Sequence, residues 1–367
     1  MSVKLDYNFC IEPPLGAPYG ESQLQNSLFT MLAAVRETGS IGKAAERLGL
    51  SYRHLWGVLK KQEMVFGQPL LNGVQGQAAR LSEFGERFLW AEQRMLARVT
   101  PQAESLASQL DRELMLAIDP GLQSIAVCGS HDVLLGALRD RLRRHARLLL
   151  DFDYVGGSAA LERLNDERCQ IAGIHLPLSD EWLCRRGSAI HSGIGRFLRL
   201  GEHKLIRFAW REQGFIVPVG NPLGLQKISD LQRSGVAFVN REASSGSRLL
   251  FDELLQHAQI APASVVGYRK EEPTHLAVAA TVAAGAANCG FGLRTAAQRF
   301  GLGFIPLVSE QYFVVCRKAS LDSFALQALI DVIKSENFRR LIDAVPGYSS
   351  KDSGEIVSLR KTLPWYK

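Results

Sequence analysis

The stretch GSIGKAAERLGLSYRHLWGVL, residues 39–59, decides the fold of the amino-terminal part of the chain. Ser40 precedes one apolar-periodic segment and Ser51 precedes another. Serine is a preferred N-cap residue, because its hydroxyl accepts a hydrogen bond from one of the first free N–H groups of a helix. The pattern therefore predicts two consecutive helices, from residue 41 to about residue 48 and from residue 52 to about residue 65.

The spacing between two small residues, Ala45 and Gly49, favours a helix-turn-helix. In that motif a small residue lies where the two helices approach, and a glycine-like residue makes the turn four positions later. Six apolar residues then fall at inward positions: Ile41, Ala44, Leu48, Leu50, Leu55 and Val58. A helical hairpin that binds no DNA is the alternative. Such a hairpin does not require this spacing together with a polar face on the third helix, so the stretch indicates DNA binding.

The residues that follow extend the pattern to a winged helix-turn-helix. Residues 68–82, QPLLNGVQGQAARLS, form two short apolar segments around a glycine-containing tip, which is typical of a β-hairpin. Ser82 then precedes a long amphipathic helix over residues 83–118, which Pro101 is expected to kink or divide. Such a helix, without a core of its own, commonly packs against a second copy of itself. We therefore expect a homodimer, and a tetramer stays open.

Residues 24–110 resemble the DNA-binding domain of the ModE-type, molybdenum-responsive regulators, which are relatives of the LysR-type regulators. The resemblance rests on TGSIGKAAERLGLSYRHLW, residues 38–56, and on the apolar segments around it. It implies a symmetric dimer whose third helices enter successive major grooves of palindromic operator DNA, with the wings along the flanking backbone. The residues expected to contact DNA are Ser40, Ser51, Tyr52, Arg53, His54, Lys60, Lys61 and Arg80.

Composition supports a cytoplasmic protein that is not an enzyme. The net charge of +6 and the pI near 9.0 are compatible with nucleic-acid binding. No apolar run reaches the length of a membrane span or, at the start, of a signal peptide. The six cysteines are scattered and fit neither a disulfide framework nor a zinc site. Because P-loop, H-E-x-x-H, G-x-S-x-G and dinucleotide motifs are absent, we expect no catalysis, cofactor or metal.

Beyond residues 119–124, DPGLQS, the pattern changes to alternating strands and helices, which predicts a parallel sheet with right-handed crossovers. The apolar stretch 205–224 is long enough to cross between two lobes. Residues 125–345, with the motifs GSHD, GGSAAL and IAGIHL, resemble the two-lobed, type II periplasmic-binding-protein-like fold. The predicted domains are a winged helix-turn-helix in residues 1–82, a linker and dimerisation helix in residues 83–118, and a two-lobed α/β effector domain in residues 119–367.

Small polar residues between strand ends and helix starts predict an effector site. Free N–H groups and the helix dipole favour an anion there, and hydroxyls can hold a tetrahedral oxyanion. The expected ligand-binding residues are Ser130, His131, Gly157, Ser158, His175, Arg241, Ser244, Ser245, Gly246, Ser247, Arg248, Thr274 and His275. Ser130, Ser158, Ser244 and Ser247 are equally expected as simple helix caps. His131 and His175 are more often structural groups than ligand contacts, and Arg241 and Arg248 could equally brace the hinge through salt bridges.

Three functions agree with these patterns to different degrees. The resemblance implies a one-component transcriptional regulator whose small anionic effector is molybdate or tungstate. The alternative is a LysR-like regulator that senses a small organic anion such as a carboxylate. An enzyme or a transport-linked binding protein is disfavoured, because the catalytic motifs and a signal peptide are both missing from the sequence.

Overall fold

The computed structural model of the chain describes residues 9–11, 22–24, 27–72, 79–178 and 181–366. These residues form two compact units, one up to Leu96 and the other from Ala97 onward. The first unit has one apolar core, and the second unit has three.

Helices and a short hairpin form the first unit. In chain order its elements are β1 (Phe9–Ile11), β2 (Ser22–Leu24), α1 (Ser27–Thr38), α2 (Ile41–Arg47), α3 (Tyr52–Phe66), β3 (Leu71–Asn72), β4 (Arg80–Leu81) and the start of α4 (Glu83–Ile118). The strands β1 and β2 are antiparallel, as are β3 and β4. The predicted winged helix-turn-helix is therefore confirmed, although the hairpin tip, residues 73–78, lies outside the described residues.

The sequence predicts that Pro101 kinks or divides helix α4, but the helix continues through this proline without dividing. A proline has no N–H, so the carbonyl of Ala97, four residues earlier, loses its partner within the helix. The Thr274 hydroxyl donates a hydrogen bond to that carbonyl at 2.8 Å. The backbone bond that Pro101 removes is thus replaced by a side chain from elsewhere in the second unit.

Strands and helices alternate through the second unit. After α4 the elements are β5 (Gln123–Gly129), α5 (Val133–Ala146), β6 (Leu148–Tyr154), α6 (Gly157–Asn165), β7 (Ile171–Leu176), α7 (Ala189–Ile194), β8 (His203–Val217), β9 (Phe238–Arg241), α8 (Gly246–His257), β10 (Glu271–Glu272), α9 (His275–Ala283), β11 (Cys289–Leu293), α10 (Arg294–Arg299), β12 (Gly303–Arg317), α11 (Phe324–Lys334), α12 (Glu336–Asp343), β13 (Tyr348–Ser349), β14 (Ile356–Ser358) and α13 (Leu359–Thr362).

The sheet of this unit has the strand order β10-β9-β11-β8-β12-β7-β5-β6, with β13 and β14 also paired to β8. Strands β5, β6 and β7 are parallel and form the sheet of one lobe. Strands β9, β10 and β11 are parallel and form that of the other. The predicted two-lobed α/β architecture is confirmed.

Two long antiparallel strands, β8 and β12, connect the lobes. Their pairing extends from Val217 opposite Gly303 to His203 opposite Arg317, and its register shifts between Pro306 and Val308 and again between Tyr312 and Phe313. At Gly214 the strands approach so closely that a Cβ would overlap the Ile305 carbonyl oxygen. Glycine is therefore required at the crossing, because any larger side chain would force the strands apart.

Candidate functional site

A tight turn holds α2 and α3 together in the first unit. Ala44 and Ala45 are fully buried between the helices, where larger side chains would keep the backbones apart. Gly49 has a φ of +66°, a conformation that glycine adopts without steric cost. The Leu50 N–H donates to the Ala45 carbonyl at 2.9 Å and closes the turn. The spacing between Ala45 and Gly49 thus has the structural role that the sequence indicated.

The outward face of α3 carries most of the residues that were predicted to contact DNA. The exposed members are Ser51, Tyr52, Arg53, His54, Lys60 and Lys61 on or next to α3, and Arg80 on β4. The hydroxyls of Ser40 and Ser51 accept the N–H groups of Lys43 and His54, so both serines cap helices. The basic and aromatic side chains of this face are exposed, and one of them, Lys60, forms a salt bridge with Glu63.

Trp56 belongs to the same face and was missed by the sequence reasoning. It lies four residues from both Tyr52 and Lys60, which puts the three side chains in one row along the helix. The Trp56 side chain is 44% exposed, and the Lys60 Nζ atom lies 5.9 Å from its ring centroid. The spacing of residues 52, 56 and 60 was the signal that could have identified it.

Glu63 joins α3 to the base of the hairpin. Its Oε1 atom accepts the N–H groups of Leu70 at 2.9 Å and Leu71 at 3.2 Å, where β3 begins. Its Oε2 atom lies 2.6 Å from the Lys60 Nζ atom. A single carboxylate therefore fixes the start of the wing relative to the exposed face of α3.

A cavity of about 590 Å³ lies between the lobes of the second unit. Five helices begin at its wall, and the residues just before them line it: Asp132 before α5, Gly156 before α6, Ser245 before α8, Thr274 before α9 and Leu293 before α10. The N-terminus of a helix carries unpaired N–H groups and a partial positive charge. Their convergence makes the cavity wall suited to an anion.

Most of the residues predicted to bind the effector line this cavity, although four do not. Those that line it are Ser130, His131, His175, Arg241, Ser245, Gly246, Ser247, Thr274 and His275. Gly157, Ser158, Ser244 and Arg248 are not among the lining residues. The Ser158 hydroxyl donates to the Gly193 carbonyl at 2.9 Å. Arg248 forms salt bridges with Asp252 and Glu271, which matches the bracing role left open for it.

Two fully buried arginines line the cavity, and their partners differ. Arg211 contacts the carboxylates of both Asp132 and Glu310, with 2.9 Å to Asp132. Arg241 donates only to two main-chain carbonyls, those of Glu272 at 3.2 Å and Pro273 at 2.7 Å. It makes no salt bridge with any residue that the structure describes. Burial lowers the pKa of Arg241 to about 10, opposed by the nearby carboxylates of Glu242 and Glu310 and assisted by the charge of Arg211. Its positive charge therefore lacks a direct counter-charge.

Two half-buried histidines, His175 and His275, also line the cavity. The Nε2 atom of His175 and the Nδ1 atom of His275 have no hydrogen-bond partner within the described parts of the chain. The other nitrogen of His275 lies 3.3 Å from the Ser247 hydroxyl. Burial, together with the nearby Arg211 and Arg241 charges, lowers the pKa of both imidazoles well below 6.5. Both rings are therefore neutral, and each offers an unused nitrogen.

The remaining lining residues escaped the sequence reasoning. Tyr348 and Arg211 reach the wall from β13 and β8, and the Tyr348 hydroxyl donates to Asp132 at 2.8 Å. Three others, Arg98, Pro101 and Gln102, come from α4. Among these missed residues, only Gly156 could have been identified from the sequence, in place of the neighbouring Gly157 that was predicted. The residue just before a helix is the one that faces the end of the preceding strand, and Gly156 has that position before α6.

No described helix is long and apolar enough to cross a membrane. Among the described residues, no group of three or more His, Cys, Asp or Glu side chains is arranged to hold a metal ion.

Comparisons with known proteins match both parts of the chain. Residues 139–334 match the model of the PBP superfamily domain, and residues 27–86 match that of the bacterial regulatory helix-turn-helix protein, lysR family. The uncharacterized protein YvgK of Bacillus subtilis (strain 168) is 29% identical over 251 residues, which are 68% of this chain and 79% of that protein. An uncharacterized protein in the ferredoxin 2Fe-2S gene 5' region of Clostridium pasteurianum is 36% identical over 111 residues, 30% of this chain and 98% of that protein.

Full-length LysR-type regulators are among the similar solved structures. The crystal structure of CbnR complexed with its target DNA has a TM-score of 0.39 and 17% identity. The match covers 84% of this chain and 98% of that one.

Proposed function

We propose that the chain, which belongs to the PBP superfamily, is a LysR-type DNA-binding regulator rather than an enzyme, and that its interlobe cavity binds a small anion that changes its affinity for DNA. The observation that carries the proposal is the state of Arg241, which is buried, is positively charged and forms no salt bridge with a carboxylate among the described residues. A buried charge is normally paired, because its desolvation is costly. An anionic ligand supplies the missing partner.

Molybdate or tungstate is the effector that we propose first. His175 can donate from its unused nitrogen, the hydrogen-bonded pair of His275 and Ser247 can donate one further proton, and the helix N-termini add N–H groups, so that neutral donors surround one cation. Neutral donors can surround a tetrahedral oxyanion on several sides without excess positive charge. The resemblance of the amino-terminal region to ModE-type regulators supports the same choice.

A small organic anion is the second candidate, and the cavity volume favours it. Sites for organic ligands typically enclose roughly 300–1,000 Å³. The cavity of about 590 Å³ lies within that range and is larger than an inorganic oxyanion needs. The guanidinium of Arg241 can bind a carboxylate through two parallel hydrogen bonds, which an organic acid would exploit.

On DNA, we propose that α3 enters the major groove and that the β3–β4 hairpin follows the flanking backbone. The contacts would come from the exposed basic and aromatic face of α3 and from Arg80. The operator is duplex DNA with two related half-sites, and the regulator acts in the cytoplasm. The proposed domain limits are residues 1–82, 83–118 and 119–367.

A homodimer through α4 accompanies this proposal. Four apolar residues at intervals of four are exposed on the carboxyl-terminal part of α4: Leu106, Leu110, Leu114 and Ile118. Such a stripe on one face of a helix is the pattern that pairs helices in coiled coils and bundles. A second copy of the same stripe would cover it symmetrically, and a tetramer stays open.

A thermal-shift screen followed by titration calorimetry tests the anion site. The probes are molybdate, tungstate, sulfate, phosphate and a set of small mono- and dicarboxylates. A ligand that binds only the folded protein raises its melting temperature by mass action. A shift with molybdate and tungstate but not sulfate supports the first candidate, and a shift with carboxylates alone supports the second.

Two serine variants provide a matched comparison for the same screen. Ser247 lines the cavity, whereas Ser158, also in the first turn of a helix, donates to the Gly193 carbonyl outside it. Ser247→Ala should weaken binding of the active probe by about tenfold, since a hydrogen bond to a charged group is lost. Ser158→Ala should leave it unchanged. Equal affinities in the two variants, or the absence of any stabilising anion, would contradict the proposed site.

A further inference from the structure

Helix α4 forms part of the wall of the interlobe cavity. Arg98, Pro101 and Gln102 line the cavity together with residues from both lobes. All three lie within two turns of the helix. The segment of α4 from Ala97 to Glu104 therefore faces the space that the proposed effector would occupy.

The lobe that contains β9 and β10 holds this segment through a salt bridge. Arg98 donates from Nε and Nη2 to the two carboxylate oxygens of Glu272, at 2.7 and 2.8 Å. The Glu272 side chain is almost fully buried, and the Thr281 hydroxyl donates to it at 2.7 Å. This two-point geometry fixes the direction of the guanidinium as well as its distance.

The same turn of the chain also holds Arg241. The carbonyl of Glu272 accepts the Nε–H of Arg241, and the carbonyl of Pro273 accepts its Nη2–H. The next residue, Thr274, donates its hydroxyl to the Ala97 carbonyl that Pro101 leaves without a partner. Residues 272–274 thus join the unpaired cation of the cavity to α4.

The other lobe holds α4 from the opposite side of the cavity. His131, two residues after the end of β5, has its Nε2 atom 3.1 Å from a carboxylate oxygen of Glu104. The hydroxyls of Ser105 and Ser108 accept the N–H groups of Tyr154 and Phe152, on β6, at 3.1 and 2.9 Å. Helix α4 therefore connects the two lobes directly, in addition to the crossing strands.

We infer that the Ala97–Glu104 segment of α4 is a third wall of the effector cavity, and that Arg98 is the positioning residue that couples the effector to this helix. The inference rests on the proposed function. An anion that pairs with Arg241 changes the position of this guanidinium relative to the turn of residues 272–274, to which it is hydrogen-bonded. The same turn binds Arg98 and the Ala97 carbonyl of α4. An anion near His131 competes with Glu104 for the imidazole. Either contact changes how α4 is held between the lobes.

Arg98→Met and Arg112→Met form a matched pair of variants for the test. Both arginines lie on α4, their side chains are 41% and 39% exposed, and each forms a salt bridge, Arg112 with Asp151 at 3.3 Å. Only Arg98 lines the cavity. The measurement is the Kd of the full chain for a DNA duplex that the wild-type protein selects from a random pool. It is made by fluorescence anisotropy with and without the anion that is active in the thermal-shift screen.

The expected result is that Arg98→Met reduces the anion-induced fold-change in DNA affinity to near one, while calorimetry still detects anion binding. Arg112→Met should retain the wild-type fold-change. Equal fold-changes in the two variants overturn the inference, whether both are retained or both lost. If Arg98→Met does not fold, Glu272→Gln, which removes the charge but keeps the shape, takes its place with the same expected and overturning results.

A ligand-free comparison separates this inference from the proposed function. If no probe changes DNA binding by the wild-type protein, the proposed anion response fails. The inference is then decided by the Kd values without any probe. A change of about fivefold or more in Arg98→Met but not in Arg112→Met supports the coupling role of Arg98, and the same Kd in both variants overturns it.

Discussion

The two buried arginines of the second unit offer a direct test of the anion site, because they differ in their partners. Arg211 contacts two carboxylates, whereas Arg241 contacts only carbonyls. Replacing each by methionine keeps an unbranched apolar stem of comparable length and removes the charge. The free energy of unfolding should respond in opposite ways to the two substitutions.

The magnitude for Arg241 follows from its pKa and its hydrogen bonds. Burial and the neighbouring Arg211 lower its pKa from 12.5 to about 10, which corresponds to ~3 kcal/mol of unfavourable free energy in the folded protein. Arg241→Met removes this cost, which is present at every pH below about 10. It also removes two hydrogen bonds to carbonyls, at about 1 kcal/mol each. We expect the ligand-free variant to be as stable as the wild-type protein, or more stable by ~1 kcal/mol.

Arg211→Met is the control, and it should be strongly destabilising. It leaves Asp132 and Glu310 buried next to each other without their shared cation. Removing one partner from a buried ion pair typically costs about 3–5 kcal/mol. The contrast between the two variants is therefore larger than the effect of most single substitutions.

Urea unfolding of the full chain, with and without the active anion, measures both effects. Arg241→Met should unfold at the wild-type urea concentration or above it and should lose the anion-dependent increase in stability. A loss of 3 kcal/mol or more in Arg241→Met, comparable to that in Arg211→Met, would refute the view that Arg241 lacks a counter-charge. Retention of the anion response would refute its role in binding.

Three further predictions concern other parts of the molecule. The folded state keeps His175 and His275 neutral, so the free energy of unfolding should be intact above pH 6.5. Below pH 6.5 it should fall by ~1.4 kcal/mol per pH unit for each histidine, until the lowered pKa of the folded state is reached. Urea midpoints between pH 5 and 8 measure this slope, and an unchanged slope in a His175→Asn/His275→Asn variant contradicts the prediction. Trp56→Ala should weaken binding to the selected DNA duplex by about tenfold without lowering the melting temperature, since the side chain lies exposed on α3; wild-type affinity in an anisotropy titration removes Trp56 from the interface. Leu110→Glu combined with Leu114→Glu should convert the proposed homodimer to a monomer in light scattering, because both leucines belong to the exposed apolar stripe of α4. A dimer that persists in this variant shows that the stripe is not the contact.

The helix-turn-helix could be predicted from the sequence because its signals are local. Ser40 and Ser51 cap α2 and α3, and the glycine at position 49 adopts the left-handed conformation that the turn requires. The start of β12 could not be predicted, because glycine and proline, here Gly303 and Pro306, are unfavourable in a strand and its first half therefore lacks a strand pattern. Pairing with β8 overrides these local preferences, which is a tertiary effect.

The effector cavity could be predicted only in part, for a similar reason. The ends of parallel strands meet at one edge, so the predictions at Ser130, Ser247 and Thr274 correspond to residues that line one cavity. Nothing in the local sequence distinguishes Arg241, which lacks a counter-charge, from Arg248, which has two acidic partners. The contribution of α4 was also hidden, because it depends on contacts between residues more than 150 positions apart, such as Arg98 and Glu272.

The close approach of β8 and β12 at Gly214 has a consequence for how such a regulator can diverge. Under the proposed function, the residues that would select the ligand line the cavity, whereas the crossing strands β8 and β12 join the two lobes. A substitution at the crossing would shift the balance between open and closed forms while the chemistry of recognition stayed intact. The concentration of ligand to which the regulator responds and its choice of ligand can thus change independently during evolution. Substitutions that make the regulator constitutively active or unresponsive should therefore occur in strands β8 and β12 as well as in the cavity wall.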